Sequence, residues 1–164
     1  MSVNEHVFRT AMARMPTGVT VLTTLGAGGH EVMTANAVVS ASLHPALLLV
    51  SVGAEKQWLH AVRECGRFAV NVLAAQHEKL ARWCADHARH GRSELIIGHG
   101  VTVSPVSGLL IFDDAPVVAE CRVHAEHPAG DHVLVLGDVA RIEVRAASAE
   151  PLVFLDRGYA TVRT

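Results

Sequence analysis

Residues 33–45 read Met33-Thr34-Ala35-Asn36-Ala37-Val38-Val39-Ser40-Ala41-Ser42-Leu43-His44-Pro45, and the apolar run Ala46 to Val52 follows at once. The first part is strand-like and places Thr, Asn and Ser side chains among small apolar residues. It can therefore offer hydroxyl and amide groups to a polar ligand above an apolar floor. Leu47 to Val52 predicts a continuous apolar strand covered on both faces. We interpret residues 33–45 as a ligand-binding segment and not as a catalytic triad.

The rest of the chain predicts many strands and few helices. Strands are predicted at 17–25, from Glu31 onward, and at 68–73, 117–126, 132–145 and 151–155, the last being the final strand; helices are predicted at 4–15, 57–65 and 76–90. Residues 127–131, with Pro128 and Gly130, predict a hairpin turn, whereas residues 98–107 are weakly patterned. Because strands and helices do not alternate regularly, the sequence favours a closed antiparallel barrel in one domain, residues 1–164.

Composition limits the class of protein. Half of the residues are hydrophobic and the mean hydropathy is +0.29, which suggests that some apolar surface is buried against another subunit. The longest apolar run, Pro45 to Val52, is too short to span a bilayer, and the N-terminus shows no secretory apolar region. We therefore expect neither a membrane nor a secretory protein.

Cysteine and charge patterns point to the cytoplasm and away from nucleic acids. The three cysteines have no Cys-x-x-Cys spacing, so neither a disulfide framework nor a thiolate zinc site is expected, and a reducing cytoplasm is the simplest setting. The net charge is −2, with 14 basic and 16 acidic residues along the chain. No basic stripe indicates a nucleic-acid partner.

Four sequence blocks, in their order and spacing, resemble the flavin reductase-like family, the short-chain NAD(P)H:flavin oxidoreductases that serve two-component monooxygenases. The blocks are 17–24, 33–45, 68–73 and 128–139, and the resemblance runs from about Phe8 to Tyr159. Its specific part is Thr34-Ala35-Asn36 combined with Gly130-Asp131-His132. The resemblance implies a mainly β fold, the FMN-binding split β-barrel with a few peripheral helices, and a homodimer with its site at the subunit interface.

The same resemblance implies the activity. Such a protein binds FMN or FAD and NADH or NADPH, transfers hydride from nicotinamide C4 to flavin N5, and releases reduced flavin to a partner flavin-dependent monooxygenase. Hydride transfer between two stacked rings needs no acid or base of its own, which fits a sequence without an obvious catalytic motif. No dinucleotide-type or P-loop glycine motif occurs, so side chains and strand-end amides must hold any nucleotide.

The cofactor-binding residues are assigned by combining local chemistry with the resemblance. Thr34, Ala35 and Asn36 are predicted to meet the edge of the flavin ring; the alternative is an ordinary strand with a hydrogen-bonded Asn. Lys56 and Gln57 begin a predicted helix, where Lys56 would hold a flavin phosphate; the alternative is a solvated lysine. Here the chain departs from the family pattern, which commonly has Ser or Thr after the basic residue. Two serines complete the predicted set, Ser40 and Ser51.

Two residues are predicted at the nicotinamide end. In the family the residue matching His132 lies beside the nicotinamide, where an imidazole can hydrogen-bond the carboxamide or tune the charge near the ring, so His132 is the predicted catalytic residue. Tyr159, in Arg157-Gly158-Tyr159, resembles a C-terminal Arg-x-Tyr or Arg-x-Phe element and could cover the flavin or nicotinamide. The alternatives are a solvated turn histidine and a tyrosine that closes the core.

Other functions have weaker support in the sequence. The histidine pairs at 87 and 90 and at 124 and 127 are three apart and lack a clear third ligand, so no metal site is predicted. No G-x-S-x-G motif supports a hydrolase. A non-catalytic flavin-binding or electron-carrier protein on the same barrel remains the main alternative. A pyridoxal-phosphate oxidase would need a cluster of phosphate-binding Arg and Lys that the first half of the chain lacks.

Overall fold

The structure is a computed structural model that describes residues 3–86, 100–145 and 149–162. Within these residues the helices are α1 (Glu5–Met12), α2 (Gln57–Cys65) and α3 (Glu78–Ala85), the last preceded by a 3-10 turn at Ala75–His77. The strands are β1 (Thr17–Gly18), β2 (Thr20–Gly26), β3 (Gly29–Ala35), β4 (Val38–Leu43), β5 (Ala46–Gly53), β6 (Arg67–Val72), β7 (Val101–Val103), β8 (Leu110–Phe112), β9 (Val117–Ala129), β10 (His132–Val144), β11 (Leu152–Leu155) and β12 (Gly158–Thr161).

Seven strands form one antiparallel sheet that curls into a barrel. Their order is β3-β2-β6-β9-β10-β5-β4, so the two edge strands, β3 and β4, are consecutive in the chain and joined only by Asn36 and Ala37. Three Cα–Cα steps reach roughly 11 Å, whereas the edges of a flat seven-stranded sheet lie roughly 29 Å apart. The sheet must therefore curl until its edges approach each other, which confirms the predicted mainly β barrel with peripheral helices.

Two apolar clusters hold the barrel together. One cluster fills the barrel interior, where Trp58 of α2 packs edge-to-face on Phe68 of β6, with ring centroids 5.7 Å apart. The other lies outside the barrel and packs α3, β8 and β11 against β2 and β6, with Phe112 and Leu73 fully buried. A Cβ atom at Gly137 would come within 2.5 Å of the Phe68 ring, so β10 needs glycine at that position.

A buried carboxylate, Glu120, ties a loop to the sheet. It is 5% exposed and accepts hydrogen bonds from Ser104 Oγ and Arg141 Nη1, each at 2.9 Å. Burial alone would raise the pKa of Glu120, but the hydrogen bonds from Ser107, Ser104 and Arg141 lower it overall. The ionised form of Glu120 is therefore the one that stabilises the fold.

The β9–β10 hairpin is confirmed, but its turn is tighter than the sequence suggested. Ala129 lies opposite His132, so only Gly130, with φ of 67°, and Asp131 form the turn. Residues 127–129 belong to β9, because the pairing continues through Pro128. His132 is the first residue of β10 and lies opposite Gly53 of β5.

Three predicted element boundaries are wrong. The ligand-binding segment is not one strand but the end of β3 and all of β4, which lie at opposite sheet edges. The strand at 151–155 is not the last, because β12 pairs with β11 across a two-residue turn. Residues 101–112, within or just after the weakly patterned region, contain the β7–β8 pair.

Helix α1 is shorter than predicted, whereas α2 matches its prediction. Asn4 caps α1 by accepting hydrogen bonds from the backbone N–H groups of His6 and Val7, and α1 ends at Met12; Arg14 and Met15 follow in tight turns. The predicted helix at 76–90 corresponds to α3 preceded by the 3-10 turn, while its end at 87–90 lies outside the described residues. The helix predicted at 57–65 is confirmed as α2.

Among the described residues, the outer face of β5 is not fully covered. Val50 and Val52 point inward and are buried, and Leu48 packs against the same interior cluster. Leu47 and Leu49 are only half-buried, so the prediction of a strand covered on both faces is wrong for the single chain. Leu49 lies opposite Val39 of β4 and Leu136 of β10. These three side chains share the outer face of the sheet, and we call them the outer apolar row.

Candidate functional site

A cleft of about 840 Å³ opens between α1, the start of β10 and the β11–β12 turn. This volume lies in the range of about 300–1,000 Å³ that is usual for small-molecule sites. Apolar and aromatic groups line most of it, together with two arginines and two histidines: His6, Phe8, Arg9, Met12, Ala13, Met15, Thr17, Asn36, Ala37, His132, Phe154 and Arg157. An apolar wall with a few polar groups suits a ligand that has both a flat ring and anionic parts.

A second pocket, of about 190 Å³, adjoins the cleft. Its lining residues come from β3, α3 and the β11–β12 hairpin: Val19, Thr34, Asn36, Ala85, Phe154 and Tyr159. Asn36 and Phe154 line both spaces, so one elongated ligand, or two stacked ligands, can occupy them together. The predicted residues Thr34, Asn36, His132 and Tyr159 are thus brought together along one surface.

His132 stands in the cleft with a defined ring orientation. Its Nδ1 lies 2.8 Å from Asp131 Oδ1, and the hydrogen bond from His132 lowers the pKa of Asp131. Since an ionised carboxylate can only accept, Nδ1 carries the hydrogen, and in the uncharged tautomer Nε2 is then an acceptor. His132 can therefore accept a hydrogen bond from an amide N–H of a ligand in the cleft.

The predicted phosphate residues lie beside His132 through the pairing of β5 with β10. Gly53 lies opposite His132, and the backbone N–H of Ala54 donates to the Asp131 carbonyl at 3.0 Å. Lys56 is the N-cap of α2, and its Nζ lies 3.4 Å from Glu55 Oε1. The pKa of Glu55 is lowered, chiefly because its carboxylate accepts a hydrogen bond from the Glu55 backbone N–H. Lys56 and His132 lower it further, and desolvation opposes the change.

The four remaining predicted residues of the β strands and α2 behave differently from one another. Gln57 is exposed at the start of α2. Ser51 is half-buried, and its N–H donates to the Ala37 carbonyl at 3.0 Å beside the cleft. Ser40 is exposed on β4, where it lies opposite Leu48. Ala35 is buried, and its side chain belongs to the barrel interior, so only its backbone can approach a ring.

Thr34 and Asn36 already have partners within the fold. Thr34 Oγ1 donates to the Ala81 carbonyl of α3 at 2.6 Å, and Asn36 Nδ2 donates to Thr17 Oγ1 at 3.0 Å. These bonds fix the end of β3 against α3 and β1. Because β3 is an edge strand, it presents backbone N–H and C=O groups on the side away from β2.

Tyr159 is held between an aromatic ring and a cation. Its ring packs edge-to-face on Phe154, with centroids 5.6 Å apart, and the Arg82 guanidinium lies 4.8 Å from its centroid. Burial raises the pKa of Tyr159, while Arg82 opposes that rise. The tyrosine is a fixed wall of the smaller pocket that remains neutral at physiological pH.

The chain matches the family described as "Flavin reductase like domain" over residues 12–163. It belongs to that family. An NADH-dependent FMN reductase from Streptomyces nodosus subsp. asukaensis is 40% identical over 158 residues, which cover 95% of this chain and 84% of that protein. The reductase component of a Thermus thermophilus 4-hydroxyphenylacetate 3-monooxygenase is 32% identical, covering 94% of this chain and 95% of that protein. The match confirms the predicted resemblance.

A solved structure of this flavin reductase family superposes on nearly the whole chain. The NADH:FAD oxidoreductase SgcE6 of Streptomyces globisporus, in complex with NAD and FAD fragments, matches with a TM-score of 0.87 and 31% identity. The alignment covers 99% of this chain and 97% of that one. The curled seven-stranded sheet is therefore the split barrel of the flavin reductase family.

Sequence reasoning missed much of the cleft wall of this family member. Arg9 and Met12 of α1 line the cleft, as do Phe154 and Arg157 of the β11–β12 hairpin. The helical spacing of the apolar residues marked one face of α1, which was expected at a dimer interface that completes the site. A two-residue break at 156–157 followed by Gly-Tyr-Ala-Thr was the available signal for β12.

The described residues were also compared with the requirements of a metal site and of a membrane-spanning helix. In the described residues no three His, Cys, Asp or Glu side chains come together as a metal site, and His124 Nδ1 instead lies 2.9 Å from Asp138 Oδ2. The pair at 87 and 90 lies outside the described residues. No described helix has both the length and the apolar character needed to cross a membrane.

Proposed function

We propose that this chain is an NAD(P)H-dependent flavin reductase that takes FMN or FAD and passes reduced flavin to a separate flavin-dependent monooxygenase in the cytoplasm. The observation that carries the proposal is the pair of adjoining pockets, which share Asn36 and Phe154 and have His132 at one end and Tyr159 at the other. Two rings can stack there, and stacking at reacting distance is the main requirement for hydride transfer.

The residues present fit a flavin. The ring of a flavin has donors and acceptors along one edge, and β3 offers backbone groups near Thr34 and Asn36 on the side that no described strand pairs with. Phe154 and Tyr159 provide flat apolar surface beside that edge. When bound, the flavin supplies the N5 atom that accepts the hydride of nicotinamide C4.

The protein groups around the rings bind and orient them. Nε2 of His132 accepts a hydrogen bond from the nicotinamide carboxamide, and Asp131 fixes the imidazole for that purpose. Lys56 and the start of α2, with Gln57 and Ser51 nearby, hold the flavin phosphate by charge. Ser40 lies outside both pocket linings and is the weakest member of the assigned set.

We include a homodimer in the proposal, with the site completed at the subunit interface. The outer apolar row is exposed or half-buried in the single chain, Val39 being 57% exposed. In α1 no residue is buried, and Phe8 and Met12 are 56% and 45% exposed. A second subunit that covers these groups would remove apolar surface from water. Light scattering should give about twice the 17.5 kDa chain mass, and a fully active monomer would contradict the shared site.

The partner follows from the chemistry and from the relatives. Reduced flavin reacts readily with oxygen, so it is useful only if a second enzyme accepts it. The Thermus thermophilus relative is the reductase component of a monooxygenase. This chain would serve a partner of the same chemical class, a flavin-dependent monooxygenase.

The experiment that tests the function measures NADH and NADPH oxidation with riboflavin, FMN or FAD added, or with no flavin. We expect oxidation only with flavin, because the flavin accepts the hydride. A protein that binds flavin but oxidises neither nucleotide under any supplement would be the carrier that the sequence left as the alternative.

A further inference from the structure

We propose that Arg9 of α1 and Arg157 of the β11–β12 turn form a clamp for the diphosphate of the nicotinamide dinucleotide. This inference rests on the proposed function, because it concerns the same cleft. Both arginines line the 840 Å³ cleft that also contains His132. They are the only arginines in that lining, and no carboxylate belongs to it among the described residues.

The two arginines are held to each other by the backbone. Asp156 and Arg157 have φ of 49° and 63°, the paired positive values of a type I′ turn. The N–H of Asp156 donates to the Ala13 carbonyl at 2.8 Å, and Asp156 also pairs with Arg14 at 3.2 Å. The turn that carries Arg157 is thus fixed to the end of the helix that carries Arg9.

The charges in the cleft favour an anion at this end. Arg157 forms no ion pair within residues 3–86, 100–145 and 149–162. Arg9 pairs with Glu5 at 2.9 Å on an exposed surface, and after the stronger effect of His132 its charge also helps to lower the pKa of Asp131. An exposed ion pair of this kind contributes little and exchanges readily for a doubly charged ligand. Arginine presents several N–H donors in a planar arrangement that matches phosphate oxygens.

The N-terminus of α1 does not supply the donors for the proposed diphosphate site. The first N–H groups of α1, those of His6 and Val7, already donate to the Asn4 side chain at 2.9 and 3.2 Å. The guanidinium groups are therefore the available donors. With the nicotinamide at His132, its diphosphate would extend toward α1, where Arg9 lines the same cleft.

The clamp is tested by comparing a donor that has phosphates with one that has none. NADH and 1-benzyl-1,4-dihydronicotinamide share the reacting ring, but only NADH carries the diphosphate. We expect Arg9→Gln and Arg157→Gln each to raise the KM for NADH about tenfold and to leave the KM for the benzyl compound unchanged. NADPH should lose as much as NADH, since the diphosphate is common to both; a loss confined to NADPH would assign the arginines to its 2′-phosphate and overturn the clamp.

Matched controls separate the guanidinium from the fold. Glu5→Gln removes the carboxylate that pairs with Arg9 and leaves the positive charge of Arg9 in place. The KM for NADH should therefore stay unchanged or fall slightly. If Glu5→Gln reproduces the loss, Arg9 acts through α1 and the clamp is wrong. Arg122→Gln removes an exposed arginine of β9 outside the cleft and should have no effect on either donor. A rise in the KM for FMN without a rise for NADH would assign Arg9 and Arg157 to the flavin phosphate instead.

A binding measurement keeps the two proposals distinguishable. ADP-ribose carries the diphosphate without the nicotinamide, and calorimetry on the flavin-free protein gives its dissociation constant. We expect each arginine variant to weaken ADP-ribose about tenfold. An unchanged dissociation constant overturns the clamp even if the reductase activity is real. Absence of NADH oxidation by the unaltered protein contradicts the proposed function, whereas the ADP-ribose result still decides the clamp.

Discussion

Substitution of Lys56 by alanine provides a direct test of where the flavin phosphate lies. Lys56 begins α2, whose first turn contains no acidic residue, and no side chain caps the helix at that position. Its ion pair with Glu55 joins it to a side chain that is 73% exposed, so exchanging that carboxylate for a phosphate costs little. The position combines a half-buried cation with the first N–H groups of α2, which no described side chain caps.

The magnitude follows from one charge-assisted contact. Loss of about 1.5 kcal/mol corresponds to roughly a tenfold rise in the KM for FMN. Riboflavin has the same ring but no phosphate, so its KM should hardly change. Steady-state NADH oxidation with each flavin gives both constants, and fluorescence titration gives the affinities independently of turnover.

The controls use neighbouring charges. Lys79→Ala removes the other lysine of the chain, which is exposed on α3, and should affect neither flavin. Glu55→Gln removes the competing carboxylate and should lower the KM for FMN. An equal loss for FMN and riboflavin in Lys56→Ala would mean that Lys56 supports the fold, and the phosphate assignment would be refuted.

Three further predictions concern nicotinamide binding at His132, packing in the barrel interior and the loss of stability at low pH. His132→Ala should lower kcat/KM for NADH by about one to two powers of ten through loss of one hydrogen bond, with flavin affinity by fluorescence nearly intact; a parallel loss of flavin affinity would reject this role. Gly137→Ala should cost about 1–3 kcal/mol in the free energy of unfolding, because its Cβ would meet the Phe68 ring at 2.5 Å, while Gly28→Ala, with nothing within 4 Å, serves as the control in urea denaturation. The pKa of Glu120 is lower in the folded chain than its ordinary 4.5, so the stability that Glu120 contributes is present above pH 4.5 and is lost as pH falls through the folded pKa. Glu120→Gln should therefore flatten the plot of unfolding free energy against pH in that range. An unchanged slope would contradict the assignment.

The sequence predicted those elements that local patterns determine. Phe68 to Leu73 and the two long strands of the β9–β10 hairpin carry uninterrupted or alternating apolar residues, and both were found. Helix α2 was found within its predicted limits. It ends at Gly66, whose φ of 69° is a left-handed conformation that glycine favours, so the sequence itself marks this end. In these segments the side-chain period and the turn residue agree with the tertiary structure.

Other elements depend on contacts that no local pattern contains. Residues 33–45 look continuous, yet Asn36 and Ala37 carry the chain from one sheet edge to the other. The turn at Asp156 and Arg157 has positive φ at both residues, and only Asp156 is a residue type that favours such turns, so the sequence marked this turn weakly. The face of α1 was predicted correctly as apolar, but whether such a face meets the core, a ligand or a second subunit is decided by tertiary structure.

The sequence predicted which residue types lie at the site better than it predicted the contacts that they make. Thr34 was assigned to a ring edge because it has a hydroxyl, but that hydroxyl donates to Ala81 of α3. Substitution of Thr34 would therefore disturb the packing of α3 before it changed a ligand contact. Backbone groups, whose positions depend on strand order, are invisible to residue-type reasoning.

The break between β3 and β4 is what makes a ligand site on this barrel possible. Full closure would pair the edge of β3 with β4 and leave no backbone groups exposed, whereas the split leaves an edge that other strands could join. In the proposed function a flavin occupies that edge, with Asn36 and Phe154 on either side of the ring system. Affinity for the ring then depends on strand position more than on any one side chain, while selectivity for phosphates depends on separate charges such as Lys56 and Arg157. Single substitutions at these charges should therefore weaken the ligands that carry phosphate, such as FMN and NADH, without abolishing binding of the ring.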